Sequence, residues 1–148
     1  MKHHLYRTFI LIAVLVSGLL SGCASTKEKK LQTKGFTLSY KDKSSAGSSV
    51  NKMQLNHPLK ISETAIRNYL RSLVFEELSL FGKKKPVFLS HDIDRIGRLL
   101  TKAIHRVPSH KIIHYELETP RGKTSGDIFA SKKYIHWRFD SIKGMGFT

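Results

Sequence analysis

The amino-acid sequence predicts an α+β domain in which two helices pack on a three-stranded antiparallel meander, preceded by a flexible tether. Apolar residues recur at three- and four-residue intervals in segments 61–75 and 90–107, as on the buried side of a helix. Between residues 112 and 140, apolar and polar residues alternate, as in strands with one buried face. We therefore expect the folded domain to occupy residues 57–148.

Residues 1–22 are predicted to be an export signal. Lys2 and Arg7 precede an apolar run over 9–20, and small residues follow that run. A positive end, an apolar core of about 7–15 residues and small residues at the exit are typical of secretory signals. The run is too short to span a membrane comfortably.

The end of this segment, Leu20-Ser21-Gly22-Cys23, resembles the lipobox of bacterial lipoproteins. The resemblance covers the first 23 residues only. It implies that the signal is removed before Cys23, which is linked to diacylglycerol and acylated as the first residue of the mature chain. Cys23 is the single cysteine, so no internal disulfide is expected. An ordinary signal peptide with a chance cysteine is the alternative.

The resemblance also implies a location. Ala24 follows Cys23 at the position where inner-membrane lipoproteins of enteric bacteria often carry Asp. We therefore expect a lipid-anchored protein of the outer membrane that faces the periplasm.

The chain is strongly basic, with 26 Lys and Arg residues against 11 Asp and Glu residues. On a membrane-tethered domain, such a charge favours anionic neighbours: lipid headgroups, an acidic envelope polymer or an acidic protein complex. Lysines that only keep the surface soluble are the alternative. Nucleic acid is not expected, because the chain has no zinc-ligand spacing or RNA-binding motif and export removes it from most nucleic acid.

Residues 23–56 are predicted to be the lipidated cysteine followed by a basic, flexible tether. The segment is rich in Lys, Ser, Thr and Gly, and its apolar residues are too sparse to offset the entropy of ordering. Within it, residues 35–40 alternate and could form one short strand.

The first predicted helix follows Ser62, which is its expected N-cap, with Glu63 in the first turn. It is expected to end near Phe75. Segment 75–81 is either an edge strand or irregular, and 82–86 is expected to be a solvated turn. The apolar stripe of this helix consists of Ala65, Ile66, Tyr69, Leu70, Leu73 and Val74.

The second predicted helix begins at Ser90, as N-cap, and ends before Pro108. Its core-facing stripe leaves the opposite side to basic residues that fall within an arc of about 80°. This basic face is predicted to bind an anionic partner, and a merely solvated face is the alternative. The basic face consists of Arg95, Arg98, Lys102 and Arg106.

The three predicted strands lie over residues 112–118, 127–130 and 134–140. In the last strand, Ile135, Trp137 and Phe139 share one face, whereas Tyr134, His136, Arg138 and Asp140 share the other. We expect the first set to face the helices and Trp137 to be largely buried.

Three histidines are weak candidates for a metal site. His110 and His114 are four residues apart, and His136 is expected on the same sheet face as His114. The spacing straddles a loop and a strand start, however, and no Glu stands between the two as in a zinc protease. His136 with Asp127 and Asp140 has the residue types of a hydrolytic triad, but no GxSxG turn accompanies them. The sequence therefore predicts no catalytic residue, metal or cofactor.

Two functional hypotheses follow. The first is a non-enzymatic, lipid-anchored cell-envelope protein that acts as an adaptor or accessory subunit. The second is a small metal-assisted hydrolase built on His110, His114, His136 and Asp140. The first is favoured because it needs only features that the sequence shows directly.

Overall fold

A six-stranded antiparallel sheet forms the centre of the molecule. The computed structural model describes residues 30–77, 82–132 and 134–147. Within them, the strands are β1 Leu31–Thr33, β2 Phe36–Asp42, β3 Val74–Glu76, β4 Lys84–Pro86, β5 Lys111–Thr119, β6 Gly122–Ser131, β7 Tyr134–Ile142 and β8 Met145–Gly146. The helices are α1 Ser48–Asn51, α2 Glu63–Ser72 and α3 Ser90–Ile104, and a 3-10 turn spans Lys43–Ala46.

The main sheet has the strand order β1-β2-β5-β6-β7-β8, and β3 and β4 form a separate two-stranded sheet. The predicted meander of three strands is present as β5-β6-β7. The predicted fold class is nevertheless wrong, because three further strands belong to the same sheet and a third helix, α1, is present. The protein is built mainly on the sheet.

The largest error concerns the expected flexible tether, because its described part, residues 30–56, is folded. The alternating segment 35–40 lies in β2, which pairs with β5 in a register that sets Phe36 opposite Leu117. Phe36 and Leu38 are buried in the main core. Two apolar residues are too few to order a segment alone, but pairing with a strand about 75 residues further on supplies the missing contacts.

The helices α2 and α3 cover one face of the sheet, here called the front face. In α2, the Ser62 hydroxyl accepts a hydrogen bond from the backbone N–H of Ala65 at 3.1 Å, which confirms the predicted N-cap. Tyr69 and Val74, assigned to the apolar stripe, are instead exposed. The helix ends at Ser72, and the chain then enters β3.

The start of α3 differs slightly from the prediction. Ser90 is the first helical residue and Leu89 occupies the N-cap position without a side-chain cap. Toward the sheet, α3 buries Ile93, Ile96 and Leu100. The expected solvated turn over 82–86 contains β4, which pairs with β3 from Val74 to Glu76.

The opposite, back face of the sheet is covered only at one end. After β2, residues 43–56 cross this face, and their apolar side chains form a second, smaller core with Ile112 and Phe129. Asn56 donates its backbone N–H to the carbonyl oxygen of Ala130 at 2.8 Å, which fastens the segment to β6. The rest of the back face remains polar.

His57 completes this attachment. Its Nε2 accepts the backbone N–H of Ala130 at 2.7 Å, so Nδ1 carries the proton and donates to the Lys111 carbonyl at 2.9 Å. Burial lowers the pKa of His57, partly opposed by the carbonyl groups of Lys111 and Pro108. The neutral imidazole is therefore the form that the fold requires.

Trp137 lies on the predicted, helix-facing side of β7. Its ring contacts Phe88 and Tyr115, each in an edge-to-face arrangement with ring centroids 5.8 Å apart. The side chain is only half-buried, however, because most of β7 forms an edge of the sheet. In the described part of the chain, no helix is long and apolar enough to cross a membrane.

Candidate functional site

Cys23, the predicted lipidation site, lies outside the described residues, as does the whole predicted signal. The predicted basic face of α3 and the candidate histidines all lie within the described part. The structure separates them into three regions: the outer side of α3, the back face of the sheet, and the turn before β5.

The four residues of the predicted basic face have two different environments on the outer side of α3. Arg98, Lys102 and Arg106 are exposed. Arg95 is half-buried, since its guanidinium donates to the Asp92 carboxylate at 2.6 Å and also to the carbonyl oxygen of Lys34. Arg95 therefore ties α3 to the β1–β2 turn, and only the other three residues are presented to a partner. We call Arg98, Lys102 and Arg106, which follows the last residue of α3 by two positions, the α3 basic face.

The acidic side chains of the helical layer do not neutralise this face. Glu63 of α2 forms an ion pair with Arg67, and Asp94 of α3 contacts the same guanidinium at 3.2 Å. Asp92 is used by Arg95. Every carboxylate of α2 and α3 is thus paired inside the layer. Among the described residues, no carboxylate lies within 4.0 Å of the α3 basic face.

The three candidate histidines do not converge. His110 is exposed in the turn before β5. His136 stacks on the Phe129 ring with centroids 5.0 Å apart, and its Nε2 lies 2.7 Å from the hydroxyl of Ser131. Among the described residues, the one cluster of possible ligand atoms contains His114 but neither His110 nor His136.

His114 instead belongs to a polar row that crosses the back face. The strand register places Ser39, His114, Asp127 and Arg138 directly opposite one another on β2, β5, β6 and β7. His114 Nδ1 lies 2.8 Å from Asp127 Oδ1, and the Arg138 guanidinium binds the other carboxylate oxygen of Asp127. Arg138 also donates to the carbonyl oxygen of Ala46, so the row holds the crossing segment against the sheet.

The Asp127 carboxylate is almost fully buried yet ionised. Burial on its own raises the pKa of Asp127, but the His114 hydrogen bond and the positive charges of Arg138 and Lys41 hold that pKa below its ordinary value. Gly126 allows the close approach of β7 at this point, because a Cβ there would lie 1.9 Å from the Arg138 carbonyl oxygen. The row is a buried ion-pair network that positions three strands.

Metal binding does not fit this row well. Ligand atoms of His114, Asp127 and Asp140 lie within 4.8 Å of one another, which is close enough for a shared cation. The Arg138 guanidinium already supplies the positive charge, binding Asp127 and lying 3.8 Å from Asp140. A metal ion would have to displace it and break the bond between His114 and Asp127.

Nucleophilic catalysis fits no better, although Ser39, His114 and Asp127 are the residue types of a triad. In such a triad, His Nε2 takes the serine proton, whereas here His114 Nε2 lies 3.6 Å from the Glu116 carboxylate. No hydrogen bond joins Ser39 to His114 among the described contacts. Ser39 also lies within a regular strand, where neighbouring backbone N–H groups are used by the sheet and cannot form an oxyanion hole.

A groove of about 670 Å³ opens beside the end of the β6–β7 hairpin. The crossing segment contributes Met53 and Leu55 to its wall, and β7 contributes Tyr134 and His136. Sequence patterns did not reveal this groove, because it exists only where residues 53–56 meet the hairpin. The tether-like composition of those residues hides their role.

No family model, curated protein or solved structure matches this chain.

Proposed function

We propose that this protein is a non-enzymatic, lipid-anchored protein of the bacterial cell envelope, an adaptor or accessory subunit that binds an anionic partner through the α3 basic face. The observation that carries the proposal is the pairing pattern of the helical layer. All its carboxylates are bound to Arg67 and Arg95, so Arg98, Lys102 and Arg106 present an uncompensated positive surface.

The opposite side of α3 supports the same conclusion. Ile96 and Leu100 are buried in the core, so the helix is held by its inner face and can present a charged outer face without loss of packing. An exposed basic face adds little to stability. A docking role gives these residues a use that folding does not.

The folded body also begins closer to the proposed anchor than a long tether would allow. β1 starts at Leu31, eight residues after Cys23, and eight residues span at most about 28 Å when fully extended. A lipid on Cys23 would therefore hold the domain near the bilayer. The expected partner is therefore itself a component of the membrane or of a complex close to it.

Anchoring is tested with Cys23→Ser. A serine hydroxyl cannot replace the thiol in lipid transfer, so the variant should incorporate no radiolabelled fatty acid and should remain uncleaved or become soluble. Labelling of the variant at the level of the wild type would refute the anchor. Recovery of the wild type only in inner-membrane fractions would refute the outer-membrane location.

Partner binding is tested with the double variant Arg98→Glu and Lys102→Glu in the full-length lipoprotein. It should lose partners that co-purify with the wild type from detergent-solubilised envelope, most clearly at low salt. Its melting temperature should stay close to that of the wild type, because both side chains are exposed. The matched control is Lys83→Glu with Lys84→Glu, an equal charge change at exposed sites outside the α3 basic face.

The proposal fails if the double variant keeps the partners and salt sensitivity of the wild type, or if the control pair loses them equally. Stoichiometric zinc or iron in the purified protein would favour the hydrolase instead. The loss of bound metal in a His114→Ala variant would then identify the site.

A further inference from the structure

The outer edge of β7 is the longest unpaired strand edge in the described structure. β8 pairs only with Ser141 and Ile142 of β7, and Phe147 donates its backbone N–H to the Asp140 carbonyl at 2.9 Å. From Tyr134 to Phe139, no described strand lies on the outer side. We call residues 134–139 the β7 edge.

The hairpin geometry shows which backbone groups face outward. β6 and β7 are joined by a two-residue connection that closes on the pair Ser131 and Tyr134. Because hydrogen-bonded and non-bonded pairs alternate in an antiparallel ladder, Phe129 is bonded to His136 and Asp127 to Arg138. The N–H and C=O groups of the intervening residues therefore point away from β6. These residues are Ile135, Trp137 and Phe139.

The β7 edge has neither of two features that protect many strand edges from pairing, a proline and a β-bulge. It contains no proline, and the register shift in the β6–β7 pairing falls beyond it, at Ser125 and Gly126. None of the described backbone or side-chain groups accepts a hydrogen bond from Ile135, Trp137 or Phe139. Their side chains are half-buried, so the edge is open to solvent.

The groove beside this edge provides room for side chains of an added strand. Tyr134, which is 69% exposed, and His136 project from β7 into its wall, opposite Met53 and Leu55. An additional strand would place every second side chain over this groove and the others near Trp137. Backbone pairing with pockets for alternate side chains is the usual mode of strand addition.

We propose that the β7 edge binds an extended, acidic segment of a partner protein as a seventh strand of the sheet. Charge supports an acidic segment: Lys132 and Lys133 follow one another in the sequence directly before the β7 edge, whereas Arg138 is already paired with Asp127. Lys132 is exposed at the turn, where it can meet a carboxylate of the added strand. This surface is separate from the α3 basic face, so the inference does not depend on the proposed function.

Charge also disfavours a second copy of the chain as the occupant. Pairing two β7 edges would join two strongly basic chains, each with 26 Lys and Arg residues against 11 Asp and Glu residues, and like net charges oppose association. With an acidic segment, the electrostatic interaction is attractive instead.

The experiment uses the full-length protein in detergent and a nine-residue peptide in which Glu alternates with Val. Trp137 is the only tryptophan, so its fluorescence should change on titration with the peptide. Amide exchange measured by NMR should slow on the order of tenfold at Ile135, Trp137 and Phe139 and stay unchanged at His136, which β6 already protects.

Two control peptides separate the parts of the proposal. A peptide with Lys in place of Glu should bind much more weakly, and a peptide N-methylated at alternate residues should not bind, since it cannot complete the ladder. Lys132→Asp should weaken binding of the Glu peptide severalfold at low salt; Asp tolerates the positive φ of 51° at this position better than most residues. Lys83→Asp is the matched control and should bind normally.

The proposal is overturned if the three amides gain no protection, or if the N-methylated peptide binds as well as its parent. Equal binding of the Lys peptide would refute an acidic ligand. Protection that is present without peptide and rises with protein concentration would show that a second copy occupies the edge. The Arg98→Glu, Lys102→Glu variant should bind the peptide normally, which separates this test from that of the α3 basic face.

Discussion

The two faces of the main sheet are held by different physical forces. The front face is buried beneath α2 and α3, and its contacts are apolar, as at Tyr115 and Leu100. The back face is held at its centre by charge, through His114, Asp127 and Arg138, and at one end by the crossing segment. Stability from the front face should vary little with pH, whereas stability from the back face depends on protonation.

The two faces also differ in how strictly their contacts require one strand register. Apolar burial on the front face tolerates small shifts of side chains, but the ion pairs of the back-face row require one register across three strands, β5, β6 and β7. A shift of one residue would turn Asp127 into the apolar core. The ion-pair network and the apolar front face therefore favour the same pairing, and the apolar face supplies most of the free energy.

The largest loss of stability is expected from a substitution on the front face. Leu100 is fully buried between α3 and the sheet, so Leu100→Ala should lower the free energy of unfolding by about 3–5 kcal/mol through lost contacts and a cavity. Urea unfolding followed by Trp137 fluorescence measures the change. Tyr69→Ala, at a site 46% exposed on α2, is the control and should cost far less.

The next largest loss of stability is expected from a substitution on the back face. Asp127→Asn keeps the shape of the side chain but removes its charge and leaves Arg138 without its main partner. We expect a loss of about 2–3 kcal/mol, less than for a fully buried pair because Arg138 is 39% exposed and can be rehydrated. The variant should also lose acid sensitivity: the low pKa of Asp127 stabilises the fold above about pH 4, and this contribution disappears as pH falls further. An unchanged acid limb would show that the row does not contribute to stability.

The smallest effect concerns the end of the back face that His57 fastens. Because its pKa is lowered in the folded state, the neutral ring stabilises the protein above the unfolded value of about 6.5, and that contribution is lost as pH falls below it. Stability measured by urea unfolding should therefore decline from pH 7 to pH 5. His57→Gln should flatten this decline, whereas the exposed His110→Gln should leave it unchanged. A slope that is the same in all three proteins would contradict the assignment.

Several local features of this protein are readable from its sequence alone. The apolar spacing and the Ser62 cap place α2, a similar spacing places α3, and two-residue alternation places β5, β6 and β7 with Trp137 on the helix-facing side. These features depend on neighbours within a few residues, whose geometry is set by backbone periods of 3.6 and 2. The outward position of Arg98 and Lys102 follows from the same period.

The order of residues 31–56 and the contacts of the candidate site are decided by the tertiary structure alone. Residues 31–56 have the composition of a tether, yet β2 is ordered by pairing with β5, and the crossing segment by contacts with Ile112, Phe129 and Ala130. Periodicity assigns Asp127 and Arg138 to strand faces, but only the register between strands brings them to His114. The packing of α3 beside the β1–β2 turn likewise brings Arg95 to the carbonyl oxygen of Lys34, a contact that the helical period does not predict. Register and long-range pairing are set by the summed packing and charge of the whole sheet, and no local stretch of sequence contains that sum.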